Sequence, residues 1–140
     1  MSTLVSVAVP VPQVGLLTYR VPDGWPVPPV GARVLAPLGS RKVTGCVTAQ
    51  QADAPPDGAV RDLLDLLDDE PFLPVEVIRL VLWVAEYYMA APGEAVAAAM
   101  PPLAWLASRR EVRITPRGLA ERERLHGLRR RLLDRLAHGR

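Results

Sequence analysis

Cysteine, lysine and histidine are nearly missing from this chain of 140 residues, which has one cysteine (Cys46), one lysine (Lys42) and two histidines (His126 and His138). A single thiol excludes a disulfide within the chain, and with so few nitrogen and sulfur ligands a Cys/His metal site is not expected. No cofactor is expected either, and the free thiol suits a reducing cytoplasm. Long apolar runs are also missing. Residues 77–91 are strongly apolar but carry Arg79 and Glu86, and they fall short of the roughly 18 apolar residues of a membrane span. The opening MSTLVSVAVP has no basic n-region and meets Pro10 and Pro12 too soon for a signal-peptide core. Catalytic signatures are absent as well: no GxxxxGK[ST], no GxGxxG after a strand, no GxSxG and no HExxH. Both histidines sit in an arginine-rich tail, away from any orienting partner or pocket. No catalytic residue is assigned, and the missing motifs argue strongly against an NTPase within these residues.

Proline is what the chain has in excess, at 15 residues against a background of about 5%. That favours turns and short strands. Hydrophobic residues make up 49% and charged residues 23%, close enough to globular averages that a packed core is expected. The length allows one ordinary domain, or one domain and part of another. Net charge is only +2, but the charge is divided. Residues 1–108 hold six basic and eleven acidic residues, a net of −5, whereas residues 109–140 hold eleven arginines and four acids, a net of +7. The tail is the electrostatic candidate for a polyanion, and any binding by the front must rely on shape and backbone contacts.

Four short strands are expected early: Thr3–Val9, Leu16–Val21, Ala32–Ala36 and Lys42–Gln50. Gly45 inside the fourth points to a bulge or a close backbone approach. Close strand spacing implies a small barrel or sandwich. Residues 52–59 read as a loop, and residues 60–68 suit a helix by leucine content. Pro74 opens a helix expected to reach Met89, and a second helix is expected from Gly93 to Met100, stopped by Pro101 and Pro102. Glu76, Arg79 and Glu86 lie on one narrow face of the first helix, so most of its circumference is expected to be buried. Trp83, Tyr87 and Tyr88 are therefore expected in the core, with Arg79 able to stack on Trp83.

Composition turns basic over residues 103–110, which sets a domain boundary between 1–105 and 106–140. Glu111–Ile114 reads as a strand, Thr115 caps a helix with Pro116 at its first position, and helices follow with a break near Gly127. Arg129, Arg130, Arg131 and Arg135 are either a solvated helix face or a phosphate track. Arginine suits phosphate oxygens through its planar fork.

Five stretches in order, VAVPVP (7–12), LTYRVPDG (17–24), VGARVLAPLGSRKVTGCV (30–47), LLDLLDDEP (63–71) and LWVAEYYMAAPGEAVAAAMP (82–101), resemble the N-terminal domain of the primosomal protein N′ (PriA) family. That family reloads the replicative helicase at abandoned forks. The resemblance implies an α+β fold, with a small β-barrel-like sheet and packed helices, followed by a truncated winged-helix segment. It also implies that residues 61–68 form a strand, against their helical propensity.

The family's pocket for the terminal nucleotide of a nascent 3′ end falls on Leu17, Thr18 and Tyr19, on Gly39 and on Arg61. By this implication Gly39 lets a nucleotide approach the backbone, Tyr19 offers a ring face and Arg61 neutralises a phosphate. Thr18 stands where the family commonly has Asp, and Leu17 where it has an aromatic ring. A hydroxyl gives a neutral bond of about 1 kcal/mol where a carboxylate gives about 1.5–3. Three readings stay open: a non-catalytic module for forked or branched DNA with a 3′ end, duplex contacts coming from the arginine tail, or a scaffold with a weakened or vestigial 3′-end pocket that docks single-stranded-DNA-binding and other primosome proteins. A winged-helix transcription regulator is a third.

Overall fold

The structure, a computed structural model, describes residues 2–55, 58–105, 114–121, 124 and 126–138. The chain divides into two compact units, residues 1–108 and 109–140.

Unit 1 is built on a curled, half-barrel sheet of six strands in the order β5-β2-β1-β4-β3-β6. The strands are β1 (Leu4–Ala8), β2 (Leu17–Arg20), β3 (Arg33–Leu38), β4 (Arg41–Ala49), β5 (Arg61–Asp62) and β6 (Asp65–Leu66). The β-branched run of β1 pairs antiparallel with β2 on one side and β4 on the other. Its alternation buries Val5 and Val7 on the concave face. The β1–β4 register shifts between Ser6 and Val7. Thr48 is the extra residue there, and Gly45, further along β4, marks a close approach instead, because a side chain there would run into Val7 and the carbonyl of Ala8.

Residues 61–68 are extended, as the family resemblance implies and helical propensity does not, but they are two strands rather than one. β5 runs parallel to β2. The chain then steps across to β6, antiparallel to β3. The Leu63 amide bonds the Arg20 carbonyl and the Leu64 amide bonds the Leu35 carbonyl, so the two-residue link changes partner in mid-course. Leu63 enters the concave core.

Helices α1 (Val75–Tyr87) and α2 (Pro92–Ala99) pack on the outer face of the sheet, where Ala8, Cys46, Ile78, Val81 and Val96 form a second core. The expectation that α1 is buried on most sides is overturned. Only Ile78, Val81 and Ala85 are buried on it, while Leu80 and Trp83 are each 58% exposed and Tyr87 is 68% exposed. α1 is apolar on two faces and the sheet and α2 cover one of them. α1 ends in a paired-bond cap: the Met89 amide reaches the Glu86 carbonyl and the Ala90 amide the Ala85 carbonyl, with Met89 at φ +53° where glycine is usual.

A partly buried ion pair fixes the end of this unit. Asp68 accepts from Arg33 Nε and Nη2, both at 2.8 Å, and from the Arg33 backbone N–H at 2.9 Å. Arg33 also donates to the Ala104 carbonyl at 3.2 Å and lies over the Phe72 ring at 4.1 Å. The hydrogen bonds from Arg33 hold the Asp68 carboxyl below its usual range, and burial pushes the Cys46 thiol up to about 12.

In unit 2, α3 (Pro116–Glu121) begins where the Thr115 hydroxyl accepts from the Gly118 amide at 3.1 Å. Gly127, at φ +68°, precedes α4 (Leu128–His138). Most of the expected strand at 111–114 lies outside the described residues. No helix among the described residues is long and apolar enough to cross a membrane.

Candidate nucleic-acid interface

The turn between β3 and β4 has two residues, Gly39 and Ser40, and Gly39 takes the left-handed conformation with φ +59°. Such a turn matches the right-handed twist of its strands and needs a residue free of the Cβ penalty. A side chain at Gly39 would meet nothing within 4 Å, so its backbone faces open space.

Beside this turn is a cleft of about 300 Å³ lined by Leu16, Leu17, Thr18, Tyr19, Pro37, Leu38, Gly39, Pro55, Ala59 and Arg61. All five residues singled out from the sequence, Leu17, Thr18, Tyr19, Gly39 and Arg61, are in that lining. β2 supplies the first three. Arg61 arrives because β5 pairs in parallel with β2, which puts it level with Tyr19. Its Nη1 donates to the Gly39 carbonyl at 2.8 Å, which joins the two walls of the cleft. The volume is at the lower end of the range for small-molecule sites, about 300–1,000 Å³.

Two of the five do not take the parts expected of them. Tyr19 is 3% exposed and belongs to the concave core, so its ring is no stacking platform. Its hydroxyl donates to the Pro37 carbonyl at 2.9 Å and braces β3 just ahead of the turn. Burial raises the Tyr19 pKa, the nearby Arg61 cation working against it, and the phenol remains a donor at neutral pH. Thr18 pairs with Ser6 across β1–β2 and alternates with Leu17 and Tyr19, which places it on the opposite face of the strand. Its hydroxyl donates to the Asp53 carbonyl at 3.4 Å.

Pro37, Leu38, Leu16, Pro55 and Ala59 complete the lining and were not foreseen. For Pro37 and Leu38 a signal existed: they flank the Gly39–Ser40 turn. For Pro55 and Ala59, in a loop without periodicity, there was none.

The model of PriA's 3′DNA-binding domain (3′BD) matches residues 6–101. The chain belongs to the PriA family. Three replication restart proteins PriA are similar to it. That of Treponema pallidum (strain Nichols) is 31% identical over 77 residues, 51% of this chain and 12% of that protein. That of Synechocystis sp. (strain ATCC 27184 / PCC 6803 / Kazusa) is 32% identical over 104 residues, 71% of this chain and 12% of that protein. That of Bacillus subtilis (strain 168) is 33% identical over 85 residues, 59% of this chain and 11% of that protein. The matched stretches thus span about an eighth of each PriA relative's length.

A second surface stands apart from the cleft. Trp83 and Tyr87 stack at 5.5 Å between ring centroids, and Tyr87 meets Tyr88 edge-on at 5.0 Å. With Tyr88 at 73% and Met89 at 95% exposure, these aromatics make an apolar surface stripe rather than the core expected of them. The stacking partner of Trp83 is Tyr87 and not Arg79. In unit 2, Arg129, Arg130 and Arg131 are exposed on α4; the Arg135 side chain lies outside what the structure describes.

Proposed function

We propose that this chain is a DNA-binding region of a replication-restart protein, and that its cleft holds the 3′-terminal nucleotide of a strand at a branched or forked DNA. The observation that carries this is the Arg61–Gly39 hydrogen bond, which closes a cleft of one-nucleotide size around an open glycine backbone. Membership of a family defined by a 3′DNA-binding domain supports it. A terminal hydroxyl is small and both donates and accepts hydrogen bonds. A continuing strand would have to place a further phosphate inside the cleft. Backbone groups and a cation bind without reading the base, so any terminal nucleotide is accepted. Fluorescence anisotropy with forks ending in 3′-OH or 3′-phosphate tests this. Tighter binding of the 3′-OH fork is expected, and equal affinity would refute end recognition.

In this reading the chain is non-catalytic, and α4 with its arginines touches duplex DNA. One observation favours a second role beside DNA binding, docking of a protein partner such as a single-stranded-DNA-binding protein. The Trp83–Tyr87–Tyr88 stripe is exposed and apolar, as protein-binding surfaces are. Trp83→Ala is expected to abolish capture of that partner and leave DNA affinity unchanged; capture that persists would remove the stripe from the role.

A further inference from the structure

Unit 1 is acidic as a whole, yet its uncommitted cations are unevenly placed. Arg20 pairs with Asp62 at 3.2 Å and Arg33 with Asp68 at 2.8 Å. Among the described residues Arg41, Lys42 and Arg79 are in no ion pair, and Arg61 bonds a carbonyl rather than an acid. Three of these four cations, Arg41, Lys42 and Arg61, meet at the β3–β4 hairpin beside the cleft. A net charge averaged over the unit conceals this.

The hairpin register separates Arg41 from Lys42. Arg41 stands opposite Leu38 and Lys42 opposite Pro37, in a ladder that runs unbroken to Cys46. Side chains alternate along a strand, so Arg41 shares a face with Val43, which packs against the concave core. Lys42 takes the other face. Leu38, the neighbour of Arg41 across the hairpin, packs against the same core and lines the cleft. Arg41 therefore continues the cleft's own face outward by one residue pair, into solvent.

A nucleotide seated by its 3′ end leaves its 5′ phosphate at the mouth of the cleft, with the preceding phosphates trailing over the rim. Against an acidic unit those phosphates need a local cation, and the guanidinium fork suits them. We propose that Arg41 holds the phosphodiester leading into the cleft, so that the site takes at least two nucleotides, the outer one by its backbone alone. The inference rests on reading the cleft as a 3′-end site.

The test uses the full chain, a partial duplex with a protruding 3′ end, and the same DNA with the two phosphodiesters nearest that end replaced by uncharged methylphosphonates. Arg41→Ala is expected to weaken binding of the unmodified DNA about fivefold, the upper range for one exposed charge contact. It should also shrink the penalty for methylphosphonate by a similar factor, while Lys42→Ala keeps the wild-type penalty. An unchanged penalty in Arg41→Ala, with 3′-OH still preferred over 3′-phosphate by the wild type, overturns this inference and leaves the cleft's reading intact. A wild type with no such preference overturns both.

Discussion

Arg61 and Gly39 are 22 residues apart in sequence, and a single 2.8 Å hydrogen bond from the guanidinium to the glycine carbonyl holds the edge strand to the hairpin turn. Arg61 is therefore part of the wall as well as a charge. Its other N–H donors face solvent, since Arg61 is exposed. Arg61→Ala should weaken DNA binding and flatten the dependence of log K on log salt by about 0.7–0.9, the amount expected for one lost phosphate contact. Anisotropy titrations between low and moderate salt measure both. An unchanged slope would take Arg61 out of the phosphate site.

Tyr19 acts on the cleft from beneath. Tyr19→Phe keeps the ring in the core but removes the bond to the Pro37 carbonyl. The expected cost is about 1 kcal/mol, read as a melting point lower by about 5 °C. DNA binding should weaken too, because the strand leading to Gly39 loses its brace. A normal melting point with normal binding would show that the hydroxyl does neither.

Met89 adopts a left-handed conformation, φ +53°, with its side chain 95% exposed. Met89→Gly should stabilise the unit by about 1 kcal/mol, since only the Cβ penalty is removed. Urea denaturation checks this. A loss of stability would mean that the methionine side chain makes a contact that outweighs its strain.

Asp68 carries a pH dependence. Its pKa is held down in the folded state by Arg33, so the stability it contributes is full above the unfolded value of 3.8 and is lost as pH falls through the lower folded value. Asp68→Asn is expected to cost about 2–3 kcal/mol at pH 7, as for a charged, partly buried pair. Below about pH 4 the gap to wild type should close. A gap that stays constant down to pH 2 would mean that the pair is not what Asp68 contributes.

The four long strands and both helices of unit 1 were legible because alternation, proline and glycine mark them directly: Pro10 and Pro12 follow β1, and Pro74 precedes α1. Leucine-rich residues 60–68 were not legible from propensity, because pairing with β2 and β3 decides their conformation and neither partner is adjacent in sequence. α1 misled for a different reason. A helix apolar on two faces says how much surface seeks cover, and not how much of it this chain supplies, so Trp83 and Tyr87 were assigned to a core that ends at Val81 and Ala85. At the cleft, the five residues named by the family resemblance share one lining, and alternation in β2 decides which way the side chains of two of them point. The Tyr19 ring falls inside the core and the Thr18 side chain on the opposite face of β2, while Leu17, Gly39 and Arg61 stay in the lining.

The central claim is that the cleft takes the end of a strand and not its interior. Backbone amide shifts of isotope-labelled protein, titrated with a linear single strand and with a covalently closed circle of the same length and sequence, test it most directly. The account predicts that the linear strand moves the Leu17, Gly39 and Arg61 resonances and the circle leaves them in place. Equal shifts from both would contradict it.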